Sequence, residues 1–241
     1  ESSEPLIAAV TTTGLVIGLS QGGPVTITAT SEGKSGSATA SVSTRPATRL
    51  AFAQQPGLST AGAPLNPPIR IALQDNFLET VLGATNPVTI AIAGNPAGGV
   101  LSGTTTVNGV NGIATFGNLI LDRVGTSYTF QVLSPGLVSA TSTPFDVTAG
   151  SANRLSITQQ PSPNAQSGIV LGVQPVVRLQ DGSGNNVATA GLVVTASIGS
   201  GIGSLGGTVT ATTSAQGIAT FTNLVISGTA GNFTLGFSVP S

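Results

Sequence analysis

Asp181-Gly182-Ser183-Gly184-Asn185-Asn186 sets oxygen-bearing side chains at alternate positions, the spacing with which Asp181, Ser183 and Asn185 would ligate calcium. The bidentate Glu that closes such a loop is absent, and no charged residue follows Asp181 anywhere in the chain. Gly and Asn in succession are also ordinary hairpin-turn chemistry, and a structural turn is the favoured reading. The corresponding stretch Asp75-Asn76-Phe77-Leu78-Glu79 has neither the Gly nor the Ser, which weakens a calcium site further.

Other chemistry is scarce. Asp75 and Glu79 lie close together across a predicted hairpin, but acid–base work on one bond needs two carboxylates flanking it, and turn use of Asp explains this pair. Ser and Thr are abundant, yet a nucleophilic hydroxyl needs a neighbouring base. The chain has no His, and its single Lys, Lys34, falls in a polar turn. Cys is absent, which removes thiolate nucleophiles, disulfides and Cys metal sites. The Gly-rich stretch Gly201–Gly207 does not open a helix, so it is no phosphate loop. No enzyme activity, catalytic residue, cofactor or obligatory metal is expected. Asn232-Phe233-Thr234 matches a glycosylation sequon, but Phe233 lies on a core face, and the site is expected to be unmodified.

Charge excludes further classes. Asp, Glu, Lys and Arg make up 6 % of the residues and the net charge is −1, against about 25 % charged in an average soluble protein. No basic surface exists to hold a phosphate backbone, so nucleic-acid binding is not expected. The uncharged run Leu82–Leu121 is broken by Asn86, Pro87, Asn95 and Pro96, and no membrane insertion is expected. A chain without Cys, Met, Trp or His suits an oxidising exterior, which places it outside the cell or on its surface. With no Met and no signal-peptide pattern, Glu1 is read as a processed or cut end.

The turns that carry these residues recur, and so do the strands between them. Gly112–Leu119 reads GIATFGNL and Gly217–Leu224 reads GIATFTNL, 105 residues apart. Arg49–Pro56 (RLAFAQQP) is matched at the same offset by Arg154–Pro161 (RLSITQQP), and Leu73-Gln74-Asp75 at an offset of 106 by Leu179-Gln180-Asp181. A period near 100 residues is one small domain per repeat. Three segments follow: 1–45, 46–149 and 150–241.

In the middle segment Ile69/Ile71/Leu73, Val88/Ile90/Ile92, Ala114/Phe116 and Tyr128/Phe130/Val132 alternate at period two, and Phe145 and Val147 close the unit. Leu119 and Leu121 reach the Phe116 face only if a bulge forms at Gly117-Asn118. Seven strands with turns every 10–15 residues predict an antiparallel sandwich. The last segment repeats the pattern but has no counterpart of Ser139–Val147. The first segment holds only a few strands, among them Val25–Thr30 with Val25, Ile27 and Ala29 on one face. Arg49 and Arg154 open the two longer units as solvated strand ends or junction contacts, and the aromatic residues fall on core faces except Phe77, an exposed contact candidate in a turn.

The first segment, through GLVIGLSQGGPVTITATSEGKSGSATASV, resembles the second half of a bacterial immunoglobulin-like domain of the intimin and invasin-related kind. The longer units resemble the tandem immunoglobulin-like repeats of large bacterial surface and secreted proteins, on RLAFAQQP, LQD, LSGTTTV, GIATFGNLIL and GTSYTF. The resemblance implies an all-β chain of tandem antiparallel immunoglobulin-like β-sandwiches, the first and last incomplete. It also implies a structural role in an extracellular fibre or cell-surface stalk, with copies of itself or neighbouring repeats as partners. A sugar- or protein-binding adhesin, and a spacer in a larger secreted enzyme, are the alternatives.

The incomplete ends are either cuts in a longer chain or surfaces that another chain completes. In the second case Leu6, Ala8 and Val10, at period two, form a strand donor, and the last unit beside Phe233–Val239 is the acceptor. The 60 uncharged residues from Gly182 to Ser241 lack the charges that usually block edge pairing.

Overall fold

The computed structural model describes residues 1–43 and 45–239, all in strands, turns and extended segments with no helix among them. In the first segment β1 (Ala8–Val10) pairs antiparallel with β2 (Val16–Gly18), and β3 (Gly22–Ser31) with β4 (Lys34–Val42). The long hairpin turns at Glu32-Gly33, both at positive φ, as a two-residue turn between right-twisted strands requires. The N-terminus runs along β3: Ser2 bridges Ile27, and the Glu1 carbonyl accepts the Thr28 N–H at 2.8 Å.

This pairing takes up the Ala8–Val10 part of the expected strand donor Leu6, Ala8 and Val10 within its own chain. Ala8 is buried and Leu6 is 83 % exposed, so they share no face. Ala8 and Val10 pair with Gly18 and Val16 of the same chain. The chain bends at residues 5–7, and the backbone on both sides of the bend is already paired within the first segment.

The middle segment contains β5 (Arg49–Gln54), β6 (Ser59–Thr60), β7 (Ile69–Gln74), β8 (Pro87–Gly94), β9 (Leu101–Ser102), β10 (Thr106–Asn108), β11 (Ile113–Phe116), β12 (Ile120–Leu121), β13 (Gly125–Leu133), β14 (Ala140–Thr141) and β15 (Phe145–Thr148). One sheet orders β11-β7-β5 and another β10-β8-β13-β15-β6, with β14 also on β13. Their inward residues meet in one core: Leu50, Ile69, Ile71, Leu73 and Phe116 from the first, Val88, Ile90, Tyr128, Phe130, Val132, Phe145 and Val147 from the second. Two sheets, antiparallel except for the parallel β15–β6 pair, sharing one core in this way form a β-sandwich. Period-two alternation carries each inward set, as in β13, where Tyr128, Phe130 and Val132 are all fully buried.

Leu119 and Leu121 are buried, but not through a bulge. The strand stops after Phe116 and changes partner: β11 pairs with β7, whereas β12 pairs with β9. Asn118 holds the break, its side chain accepting the Thr104 N–H at 2.9 Å and donating to the Thr104 hydroxyl at 3.0 Å. The seven expected strands are thus divided into shorter pieces.

The last segment contains β16 (Arg154–Gln159), β17 (Val176–Gln180), β18 (Val193–Ser200), β19 (Gly203–Gly206), β20 (Thr210–Thr212), β21 (Ile218–Thr220), β22 (Val225–Gly228) and β23 (Thr234–Ser238). Its registers reproduce the middle unit. Leu50 opposes Leu73 as Leu155 opposes Leu179, and Val132 opposes Ile90 as Phe237 opposes Ala196. Its core gathers Leu171, Val177, Val194, Ala196, Ala219, Phe221 and Leu224. The sheet β20-β18-β23 ends at β23, where the middle unit continues through β15 and β6.

One glycine pair explains the repeated GIATF. Gly112 and Gly217 have φ of 73° and 71°, and a Cβ on either would overlap the Val81 or Val187 carbonyl. Their own carbonyls accept the N–H of Leu73 and Leu179, each at 2.9 Å. Only Gly combines this φ with so close an approach.

Candidate functional site

The LQD turns lie where one segment of the chain meets the next. In the middle unit, Asp75 Oδ1 accepts the N–H of Phe77 at 2.9 Å and of Glu79 at 3.0 Å, which closes the turn. Oδ2 faces the linker and pairs with Arg45 Nε at 2.8 Å. Arg45 also reaches Glu79 at 2.9 Å, and its guanidinium lies 4.7 Å from the centre of the Phe77 ring. The Asp75 side chain is buried while Arg45 is half-exposed. Removing Arg45 would therefore leave a buried carboxylate without its counter-charge, whereas the exposed Glu79 pair contributes little.

In the last unit Asp181 repeats the device with different donors. Oδ1 accepts the N–H of Ser183 and of Asn185, both at 2.9 Å. Oδ2 accepts the Gly150 N–H at 3.0 Å. Gly150 stands 105 residues after Arg45, so a backbone amide takes the place of a guanidinium at the same point of the linker. The Asn185 side-chain amide adds bonds to both Asp181 oxygens, at 3.2 and 3.0 Å. Burial by itself raises the Asp181 pKa, but the Asn185 side chain and the Gly150, Asn185 and Ser183 N–H groups outweigh it and hold the carboxyl below its ordinary value.

Asn185 then crosses to the middle unit. Its Nδ2 donates to the Asp122 carbonyl at 2.8 Å and its Oδ1 accepts the Val124 N–H at 3.1 Å. Ser183 Oγ fills the space that Gly62 leaves by having no Cβ. Small residues and hydrogen bonds thus build this joint.

These contacts account for the calcium candidates. Both Asp181 oxygens accept N–H groups, Asn185 turns its amide NH2 rather than its oxygen toward Asp181, and Ser183 Oγ faces Gly62. A cation cage needs converging oxygens, and no cluster of three or more acidic, His or Cys side chains fit for a metal occurs among the described residues.

Phe77 is 64 % exposed. Beside it on the same end of the middle unit lie Leu78, Leu82 and Val110, each more than half exposed. The corresponding residues of the last unit are Ser183, Gly184, Ala188 and Ala215. Arg49 and Arg154 are exposed strand-end residues. Sequence reasoning assigned no role to Arg45, Gly150 or Asp122. The signal was the similar spacing of Arg45 and Gly150 before the two LQD turns, 30 residues before Asp75 and 31 before Asp181.

No family model and no curated protein matches the chain. Among solved structures it aligns with Bacteroides uniformis β-glucuronidase 3 (TM-score 0.25, 12 % identity) and with Parabacteroides merdae β-glucuronidase (TM-score 0.24, 13 % identity). Each alignment covers 79 % of this chain and 23 % of that protein, so the chain spans less than a quarter of their length.

Proposed function

We propose that the chain is a structural, non-catalytic segment of tandem immunoglobulin-like β-sandwiches, serving as part of a bacterial extracellular fibre or cell-surface stalk. The observation that carries this reading is the joint built twice at the same place in the repeat, Asp75 with Arg45 and Asp181 with Gly150. A stalk needs units held at a set angle, and a buried carboxylate gripping the linker fixes the direction in which the chain enters each unit. The cross-link from Asn185 to Asp122 and Val124 limits rotation between the two longer units. The resemblance to invasin- and intimin-related repeats and the near-absence of reactive side chains favour the same role. Small-angle scattering tests it: a stalk segment gives one extended particle with a narrow distance distribution, which broadens in Asn185→Ala. A flexible string in the unmodified chain would overturn the proposal.

A second reading, a protein-binding adhesin, draws on the exposed Phe77, Leu78, Leu82 and Val110, large where the last unit has small residues. Binding to a host-surface protein array that is lost in Phe77→Ala would favour it.

A further inference from the structure

Arginine gathers on one sheet face of the last unit. Leu155 and Val177 turn to its core, so Arg154, Ser156, Arg178 and Gln180 face outward from β16 and β17. Arg154 stands opposite Gln180, and Ser156 opposite Arg178. Arg154 and Arg178 are therefore diagonal neighbours, about 7–8 Å apart at the backbone, with Ser156 beside both. Two arginine side chains at that spacing can reach one small group. The middle unit has no such pair. Arg49 takes the place of Arg154, but Ala72 takes the place of Arg178, and the next outward arginine, Arg70, opposes Gln54 at the far end of β5.

Nothing neutralises the pair. The ion pairs among the described residues involve Arg45 and Arg123 only. The one acidic residue of the last unit, Asp181, has both oxygens on N–H groups. Arg178 Nε is shut off from solvent and has no hydrogen-bond partner among the described residues. Leaving such a donor unmade is costly, and like charges side by side on a sheet repel. An anion seated between the two guanidinium groups relieves both costs, because each offers a planar fork of donors that matches the two oxygens of a carboxylate. The face is open independently of the sheet edge beside it: Arg49, at the same place in the middle unit, is exposed although Val138 bridges it.

We infer that Arg154 and Arg178, with Ser156 and Gln180, form a seat for the carboxylate of an acidic polysaccharide built of uronate sugars. The two arginines hold the carboxylate. The Ser156 hydroxyl and the Gln180 amide oxygen are left for sugar hydroxyls, since the Gln180 amide nitrogen donates to Asn186 at 3.4 Å. Charge complementarity selects this occupant. Residues 150–241 carry a net charge of +1, far too little for the dense charge of a nucleic acid or an anionic membrane but suited to one carboxylate held at a time. The seat lies in the interior of a sheet face, where β17 is paired on both sides, so its backbone offers no edge to a peptide. The inference goes beyond the stalk proposal, because it concerns what the side of the segment holds and not how the units are joined.

The test titrates the 241-residue chain with oligogalacturonate and follows the arginine Nε–H signals by NMR. The Arg154 and Arg178 signals are expected to shift together and to saturate at millimolar concentration or below, while those of Arg49 and Arg70 stay in place. The same oligosaccharide with its carboxylates reduced to alcohols is expected to shift neither. Arg178→Gln and Arg154→Gln are each expected to weaken binding at least about tenfold, the loss of a charge-assisted hydrogen bond, with an unchanged melting temperature. Arg49→Gln is expected to bind as the unmodified chain does. Small-angle scattering of Arg178→Gln is expected to match that of the unmodified chain, which separates this inference from the stalk proposal. No saturation up to about 10 mM, or equal shifts at all four arginines, would overturn the seat. Binding of the reduced oligosaccharide, or tighter binding of inorganic phosphate than of oligogalacturonate, would overturn the uronate assignment.

Discussion

Asn185 holds Asp122 across 63 residues of chain: its amide nitrogen lies 2.8 Å from the Asp122 carbonyl, while the same amide group bonds the Asp181 carboxylate one turn away. One side chain thus joins the turn of one unit to a loop of another, and the strength of the joint depends on it.

Asn185→Ala removes the bonds to Asp122 and Val124 and leaves the buried Asp181 with fewer donors. Leaving such groups unpaired costs about 1–3 kcal/mol. The two longer units are expected to melt in separate steps by calorimetry while each core keeps its own enthalpy. An unchanged single transition would show that the units are not coupled through this residue.

Asp181 sets a pH dependence. Its folded-state pKa is depressed, so its stabilising effect is fully present above the unfolded value, about 3.9 for Asp, and is lost as pH falls through the folded value. Exchange of the Gly150 amide is expected to stay slow from neutral pH down to about 5 and, after correction for intrinsic rates, to accelerate below about 4. Asp181→Asn should remove this acid step. Acceleration toward alkaline pH instead would contradict the assignment.

Phe116 and Phe221 occupy the same position of the repeat, and both are buried. Replacing either with Ala is expected to lower stability by about 3–5 kcal/mol in denaturant unfolding. A loss below about 1 kcal/mol would place the ring outside a packed core.

Gly217→Ala must place a Cβ against the Val187 carbonyl at a φ of 71°. A loss above about 1 kcal/mol is expected, since the strained φ and the overlap act together. Gly117→Ala meets open space at an ordinary φ and is expected to be near neutral. Equal effects of the two changes would remove the physical reason given for the repeated GIATF.

Chelation with EDTA is expected to leave the melting temperature unchanged, because the Asp181 oxygens are bonded to N–H groups. A drop of more than a few degrees would restore Asp181, Ser183 and Asn185 as calcium ligands.

The sequence by itself determined what is local or periodic. Inward positions follow from period two, so Ile69, Ile71, Leu73, Tyr128, Phe130 and Val132 were legible as one buried set. The 105-residue repeat placed Phe116 and Phe221 in matching cores, and Glu32-Gly33 was legible within a polar turn. Tertiary structure alone decided which edge each strand finds. Burial of Leu119 and Leu121 was foreseen, but alternation is the same for a bulged strand and for one that changes sheets, and only the pairing of β12 with β9 distinguishes them. Leu6, Ala8 and Val10 have the spacing of a free strand, yet the bend at residues 5–7 and the hairpin with β2 take it up. The oxygens at Asp181, Ser183 and Asn185 fit a cation loop on spacing. Their actual partners, Gly150, Asp122, Val124 and Gly62, come from distant parts of the chain, and hydrogen bonds between such residues leave no trace in local spacing.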